Sequence, residues 1–243
     1  MIIPRRFHGP DESGNGGWSA GALAAELLAA TGAPAASTVE VTLRRPPPLD
    51  RELPVVRDED VARLLDDLAD DAVVAEARLR QDGDAGSDLP TLPAVAYAEA
   101  AAAEGLFRGL ADHPFTGCFA CGPDRAPGDG LRIFPGSVPG ADDAGVEHLV
   151  AATWTPAEDV DLPTTWAALD CSGGWAGDIG AGRLMVLGRI TAQVLRVPDP
   201  GERLVVTGGL HGVEGRKTAT SATLRDEAGA ILGRAAHTWI AIS

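Results

Sequence analysis

Positive charge is scarce in this sequence. Its 243 residues hold 20 Lys and Arg against 35 Asp and Glu, a net charge of −15. A chain this acidic lacks the basic face that nucleic-acid phosphates or an anionic lipid surface would need, so neither is expected as a partner. Cysteine is also scarce, with Cys118, Cys121 and Cys171 only. Three thiols make no disulfide framework, and a reducing cytoplasm is the expected setting. Long apolar runs are missing: no stretch of eighteen or more predicts a membrane span, and the opening MIIPRRFHGPDE lacks the apolar region of a secretory signal. What is present is 45% hydrophobic residues, enough for a full core in one large or two small domains.

Residues 13–32, SGNGGWSAGALAAELLAATG, begin with a loop of small residues and continue as an Ala/Leu-rich run. Helix-forming residues followed by Gly32 and Pro34 predict a helix of about three turns, buried on most faces because Glu26 is its only charge. Two glycines at the mouth of such a helix leave backbone N–H groups open to another molecule. The alternative is an ordinary glycine turn into a core helix. Alternating residues in STVEVTLRRPPPLDRELPVV predict two strands around a Pro-rich turn or bulge, and DDAVVAEARLRQDGDAG predicts another ending in a turn. A Gly/Asp/Pro-rich break, QDGDAGSDLPTLP, and an Ala-rich helical piece follow. In the second half, strands are expected at GLRIFPG and EHLVAATWTP, a helix in DLPTTWAALDCSGGWAGDIGAG, and three long strand runs to the end. Each half thus places one buried helix ahead of antiparallel strands, and Gly-Gly-Trp occurs in both, at residues 16–18 and 173–175, but at different points along the two helices. This is an α+β pattern made twice.

The segments CFACGPDRAPGDGLRI, WAALDCSGGWA and VEGRKTATSATLRDEAGAILGRAAHTWIAI resemble hotdog-fold acyl-CoA thioesterases of the phenylacetyl-CoA thioesterase type, over roughly residues 115–243. NGGWSAGALA gives the first half a weaker likeness. The resemblance implies a double hotdog: two curved antiparallel sheets, each wrapped around a central helix. Its units would span residues 1–85 and 115–243, joined by a helical connector at 86–114. It also implies an acyl-CoA or acyl-carrier substrate, no cofactor, and further association as a dimer of double hotdogs, since open sheet edges need cover.

In that family the helix opens with His-Gly-Gly or Asn-Gly-Gly, and a carboxylate follows two turns on. Asn15, Gly16 and Gly17 match the opening, but Ala24 stands where the acid would be. Asp170 matches the acid, but Thr164 and Thr165 or their neighbours stand where the glycines would be. Each half keeps what the other lacks, so one shared site is expected. Gly16 and Gly17 would supply oxyanion donors at a helix N-terminus, and Asn15 would orient water or thioester. Asp170, in an apolar run, would act as general base or nucleophile with a raised pKa; the alternative is a capping or ion-paired structural Asp. Trp18, Trp166 and Ser172 are candidate substrate contacts, with core packing or a helix end as the alternative. Cys118 and Cys121 form a Cys-x-x-Cys pair, but a closed zinc site needs four ligands, usually with a second pair at similar spacing, and only Cys171, His113 and scattered histidines remain. The pair is therefore read as structural, and no metal is expected. His8, Asp11 and Glu12 lie beside the glycine loop, with Glu12 an outside candidate for a second acid. His211 and His237 are read as structural strand residues. Arg183, Arg216 and Lys217 could meet CoA phosphates or be solvated strand-end charges. Two other functions compete with the thioesterase. A hotdog hydratase or dehydratase would pair a His with the acid, and neither helix carries one. A non-catalytic acyl-binding protein stays open because fold does not dictate function.

Overall fold

In the computed structural model, residues 1–81, 83, 88–179 and 183–242 are described. The turn expected within QDGDAGSDLPTLP falls largely on 82 and 84–87, and the glycine-rich close of the second helix on 180–182; these lie outside the described residues. Helix α1 spans Gly16–Thr31 and ends at Gly32 with φ 65°, where a left-handed residue closes the last turn and glycine carries no Cβ penalty. Strands β1 (Val39–Leu43), β2 (Val55–Asp58), β3 (Val61–Asp66) and β4 (Ala72–Leu79) follow, then α2 (Tyr97–Ala103), β5 (Gly136–Ser137) and α3 (Ala141–Ala144). The chain continues with β6 (His148–Trp154), α4 (Leu162–Ala176), β7 (Met185–Val194), β8 (Leu204–Glu214), β9 (Lys217–Asp226) and β10 (Ile231–Ala241).

All ten strands form one antiparallel sheet in the order β2-β3-β4-β1-β7-β10-β9-β8-β6-β5. This corrects the expectation of two sheets. The seam is β1 against β7, paired from Val39↔Ala192 to Thr42↔Arg189. Each strand would otherwise end its half-sheet with unpaired N–H and C=O groups, and joining the two edges satisfies both. The order also repeats about that seam. After α1 the strands lie β1-β4-β3-β2, and after α4 they lie β7-β10-β9-β8. The second half adds β6, which pairs with β8 ahead of α4. In the first half its place is taken by one bridge, Ile2↔Glu52.

Several strand expectations shift. GLRIFPG gives only the two-residue β5. The long run after Glu202 folds into two strands, with the chain turning at Gly215–Arg216 and a bulge at Leu210/Gly212. Strand β3 (VARLLD) went unread because flanking acidic residues masked its short apolar pattern.

The two helices are buried against each other inside the sheet. Gly17 and Gly21, four residues apart, form a groove on α1. A Cβ on Gly17 would lie 2.4 Å from Asp170 Cβ, and one on Gly21 would lie 2.7 Å from Trp166 Cβ. Trp166 and Asp170 are likewise four apart on α4, so one face of each helix meets the other. The core is continuous across the halves, joining Leu23 and Leu27 of α1 with Trp166 and Leu169 of α4.

Candidate active site

Both helices start in the same way. Asn15 caps α1 by accepting the Trp18 N–H at 2.8 Å, and Asp161 caps α4 by accepting the Thr164 N–H at 2.8 Å. A cap side chain bonding the third residue onward fixes the first turn. Aligned on their caps, Gly16 and Gly17 correspond to Leu162 and Pro163, and Ala24 corresponds to Asp170. The residues opposite the glycines are therefore Leu162 and Pro163, two residues before Thr164 and Thr165 and among the neighbours the sequence reading allowed. Pro163 has no N–H, so α4 cannot offer the donor that α1 offers at Gly17.

That donor is used. The Gly17 N–H bonds Asp170 Oδ2 at 2.8 Å, and Asn15 Nδ2 bonds the same oxygen at 3.4 Å. Oδ1 is buried and has no hydrogen-bond partner among the described residues. Asp170 is 2% exposed. Burial pushes its pKa up to about 7, with the Gly17 and Asn15 donors pulling it down and the neighbouring Cys118 sulfur pushing it up. The Gly16 N–H, in contrast, has no acceptor among the described residues. The two expected oxyanion donors thus divide: Gly17 holds the carboxylate, and Gly16 is free.

Asn15, Gly16 and Asp170 line a cavity of about 560 Å³ between the halves. Leu187, Trp239 and Ile240 of the second-half strands form much of its apolar wall, and Arg44 and Arg45, both exposed, stand at its edge. Gly16 has no room for a side chain there, since a Cβ would lie 2.9 Å from Leu187 Cδ2. The wall residues were missed in the sequence because nothing local marks Leu187, Trp239 or Ile240, on second-half strands, as facing the start of the first-half helix. Arg44 and Arg45 were visible only as part of a Pro-rich turn.

The other candidates fall elsewhere. Trp18 does not line the cavity and stacks on Phe7 at a centroid distance of 4.1 Å. Trp166 fills the α1–α4 interface, and Ser172 is fully buried with its carbonyl against Gly208. His8 packs on Gly117, and Asp11 and Glu12 are exposed ahead of α1. His211 bonds Ser221 at 2.8 Å, and His237 bonds Thr220 at 3.1 Å. Arg183 donates to the Gly215 carbonyl and Arg216 to the Ala241 carbonyl; neither they nor Lys217 line the cavity.

No family model and no curated protein matches the chain. Solved structures do. A protein assigned as a thioesterase from Novosphingobium aromaticivorans aligns with a TM-score of 0.62 at 12% identity, over 96% of this chain and 90% of that one. The tesB protein of Mycobacterium avium subspecies paratuberculosis aligns at 0.57 and 13% identity, over 96% and 89%. A hotdog-fold protein of unknown function from Alicyclobacillus acidocaldarius aligns at 0.56 and 11% identity, over 98% and 90%. The chain therefore has the hotdog fold, as a large antiparallel sheet with few helices. No helix among the described residues is long and apolar enough to cross a membrane.

Proposed function

We propose that this chain is a double hotdog whose two half-sheets join edge to edge at β1 and β7, and that it hydrolyses an acyl thioester of coenzyme A or of an acyl carrier. One observation carries the reading: a buried carboxylate with one oxygen held by Gly17 and Asn15 and, among the described residues, the other oxygen without a partner, on the wall of an apolar cavity beside a helix-N-terminal N–H that has no acceptor among those residues. The names of the solved relatives agree with it.

The acyl chain occupies the space between Leu187, Trp239 and Ile240, and the thioester oxygen faces the Gly16 N–H. Asp170 takes a proton from water as the water oxygen bonds to the carbonyl carbon. The resulting oxyanion is stabilised by Gly16 and the positive end of α1. Its collapse breaks the C–S bond, and the sulfur leaves with the proton from Asp170, giving acid and thiol. Direct attack by Asp170 would instead pass through an anhydride that water then opens. The Gly17 and Asn15 donors fix which oxygen faces the substrate in either route. A hydratase would need a His paired with the acid, and among the described residues Asp170 is bonded only by Gly17 and Asn15.

The three reduced thiols suit a reducing compartment such as the cytoplasm. The open edges of β2 and β5, with Val56 exposed on β2, favour association of two chains, checked by light scattering. The functional reading is tested with a panel of acyl-CoAs and a thiol reagent. Thiol release is expected from wild type, and Asp170→Asn, which keeps an acceptor for Gly17, should lower turnover by a factor of about 10² to 10⁴. Turnover of Asp170→Asn at the wild-type rate sinks the mechanism. Hydration without thiol release sinks hydrolysis itself, as does tight binding without turnover.

A further inference from the structure

Cys171 is 50 residues downstream of the Cys-x-x-Cys pair in sequence, yet the fold brings the three sulfurs to within 4.8 Å of one another, all buried. Cys118 Sγ and Cys171 Sγ are 3.8 Å apart. That is too long for a disulfide bond of about 2 Å, but two thiolates sharing a tetrahedral zinc ion at about 2.3 Å each would be separated by about 3.8 Å. All three cysteines also line the cavity, so one side of the cluster faces open space.

Two features of the surroundings suit such a cluster. The Asn15 amide is aimed at two of the sulfurs, with Nδ2 at 3.7 Å from Cys118 and 3.9 Å from Cys171. Such a donor supports metal-bound sulfur. The turn itself is tight: a Cβ on Gly122 would lie 2.6 Å from both the Cys118 nitrogen and its carbonyl oxygen. Glycine therefore closes the loop that directs both cysteines of the pair inward.

We propose that Cys118, Cys121 and Cys171 form a binding site for one thiophilic divalent cation of the zinc type, with its fourth position open to the cavity. Such an ion would staple the 115–134 segment to α4. The ion would share the cavity and the Asn15 amide with Asp170, but its test reads metal binding alone and does not depend on the hydrolytic reading.

The reduced, chelator-treated protein is titrated with Co²⁺ and then with Zn²⁺ against a chromogenic chelator. The expected result is one equivalent bound per chain, a thiolate-to-cobalt charge-transfer band lost on adding Zn²⁺, and a higher melting temperature with Zn²⁺. Cys171→Ser and Cys121→Ser should each weaken Zn²⁺ binding by about 100-fold or more, while His211→Ala should bind as wild type. Wild type alone decides the matter if the variants fold poorly. Absence of the cobalt band and of Zn²⁺ competition in wild type overturns the proposal. A Cys118–Cys171 disulfide in protein purified without oxygen also overturns it, as does full metal binding in Cys171→Ser.

Discussion

The Gly17 N–H and the Asp170 carboxylate meet at 2.8 Å across the contact between the two central helices. One residue comes from each half of the chain, 153 positions apart. The same contact is a packing contact, because a Cβ on Gly17 would overlap Asp170 Cβ and press on the Trp166 carbonyl at 2.8 Å.

Gly17 and Gly16 should therefore respond differently to alanine. Gly17→Ala pushes into backbone and a helix-bound side chain, and an overpacking loss of about 1–3 kcal/mol is expected. Gly16→Ala presses on Leu187 Cδ2 and Cβ and on Leu43 Cδ1, side-chain atoms of strand residues with no backbone among them, so its loss should be smaller than that of Gly17→Ala while the cavity narrows. Urea denaturation of both variants checks this, and equal losses would contradict the packing account.

Asn15 has two separable tasks, capping α1 and bonding Asp170. Asn15→Ser keeps a capping oxygen and lacks the amide. Its stability should stay within about 1 kcal/mol of wild type, while thioester turnover falls by roughly tenfold, the worth of about 1.4 kcal/mol. Asn15→Ala should lose both. A Ser variant with full turnover would remove Asn15 from the site.

Arg45 stands at the cavity edge with no ion pair among the described residues, whereas Arg44 approaches Glu76 at 3.8 Å. If the nucleotide phosphates of coenzyme A rest there, Arg45→Ala should raise KM for acyl-CoA about three- to tenfold, leave kcat unchanged and weaken the salt dependence. A KM insensitive to both the substitution and salt would place the phosphates elsewhere.

His237 is buried and held neutral. Burial is the main cause, and its pKa is pushed down to about 3. In the unfolded chain it takes up a proton near 6.5. The unfolded state then binds a proton that the native state refuses, so this contribution is complete above about pH 6.5 and is lost as pH falls towards 3. By linkage the loss is about 2 kcal/mol at pH 5 relative to pH 7. His237→Gln, which does not titrate, should show a pH 7-to-5 stability drop smaller by that amount in urea melts. The same drop in both proteins would mean that His237 is not the group responsible.

Much of the fold and of the candidate site was legible in the sequence, for local reasons. The helix starting at Asn15 announces itself through its glycines, its Ala/Leu run and Gly32. Asp170 stands out as a charge between Leu169 and Cys171. The missing parts are those that sequence distance hides. Nothing local says that β1 will pair with β7, so one sheet was read as two. Cys171 counts in sequence only as one leftover ligand candidate beside Cys118 and Cys121, and nothing local says that its sulfur reaches theirs. The Gly-Gly-Trp at 173–175 shares its letters with 16–18, and its different position along its helix, readable in the sequence, puts it at the other end. There Gly173 and Gly174 make room for His237 and Trp239, so the shared letters serve unrelated contacts.

The cap alignment of the two helices also bears on how this protein can change over time. In an assembly of identical subunits, a substitution is installed on both sides of the symmetry axis at once. Here the two sides are separate stretches of one gene product. Pro163 could replace an N–H donor on α4 without removing the one on α1, and Ala24 could stand opposite Asp170 without costing the acid. Drift on one side is shielded by retention on the other, and the positions released in this way are open to new uses.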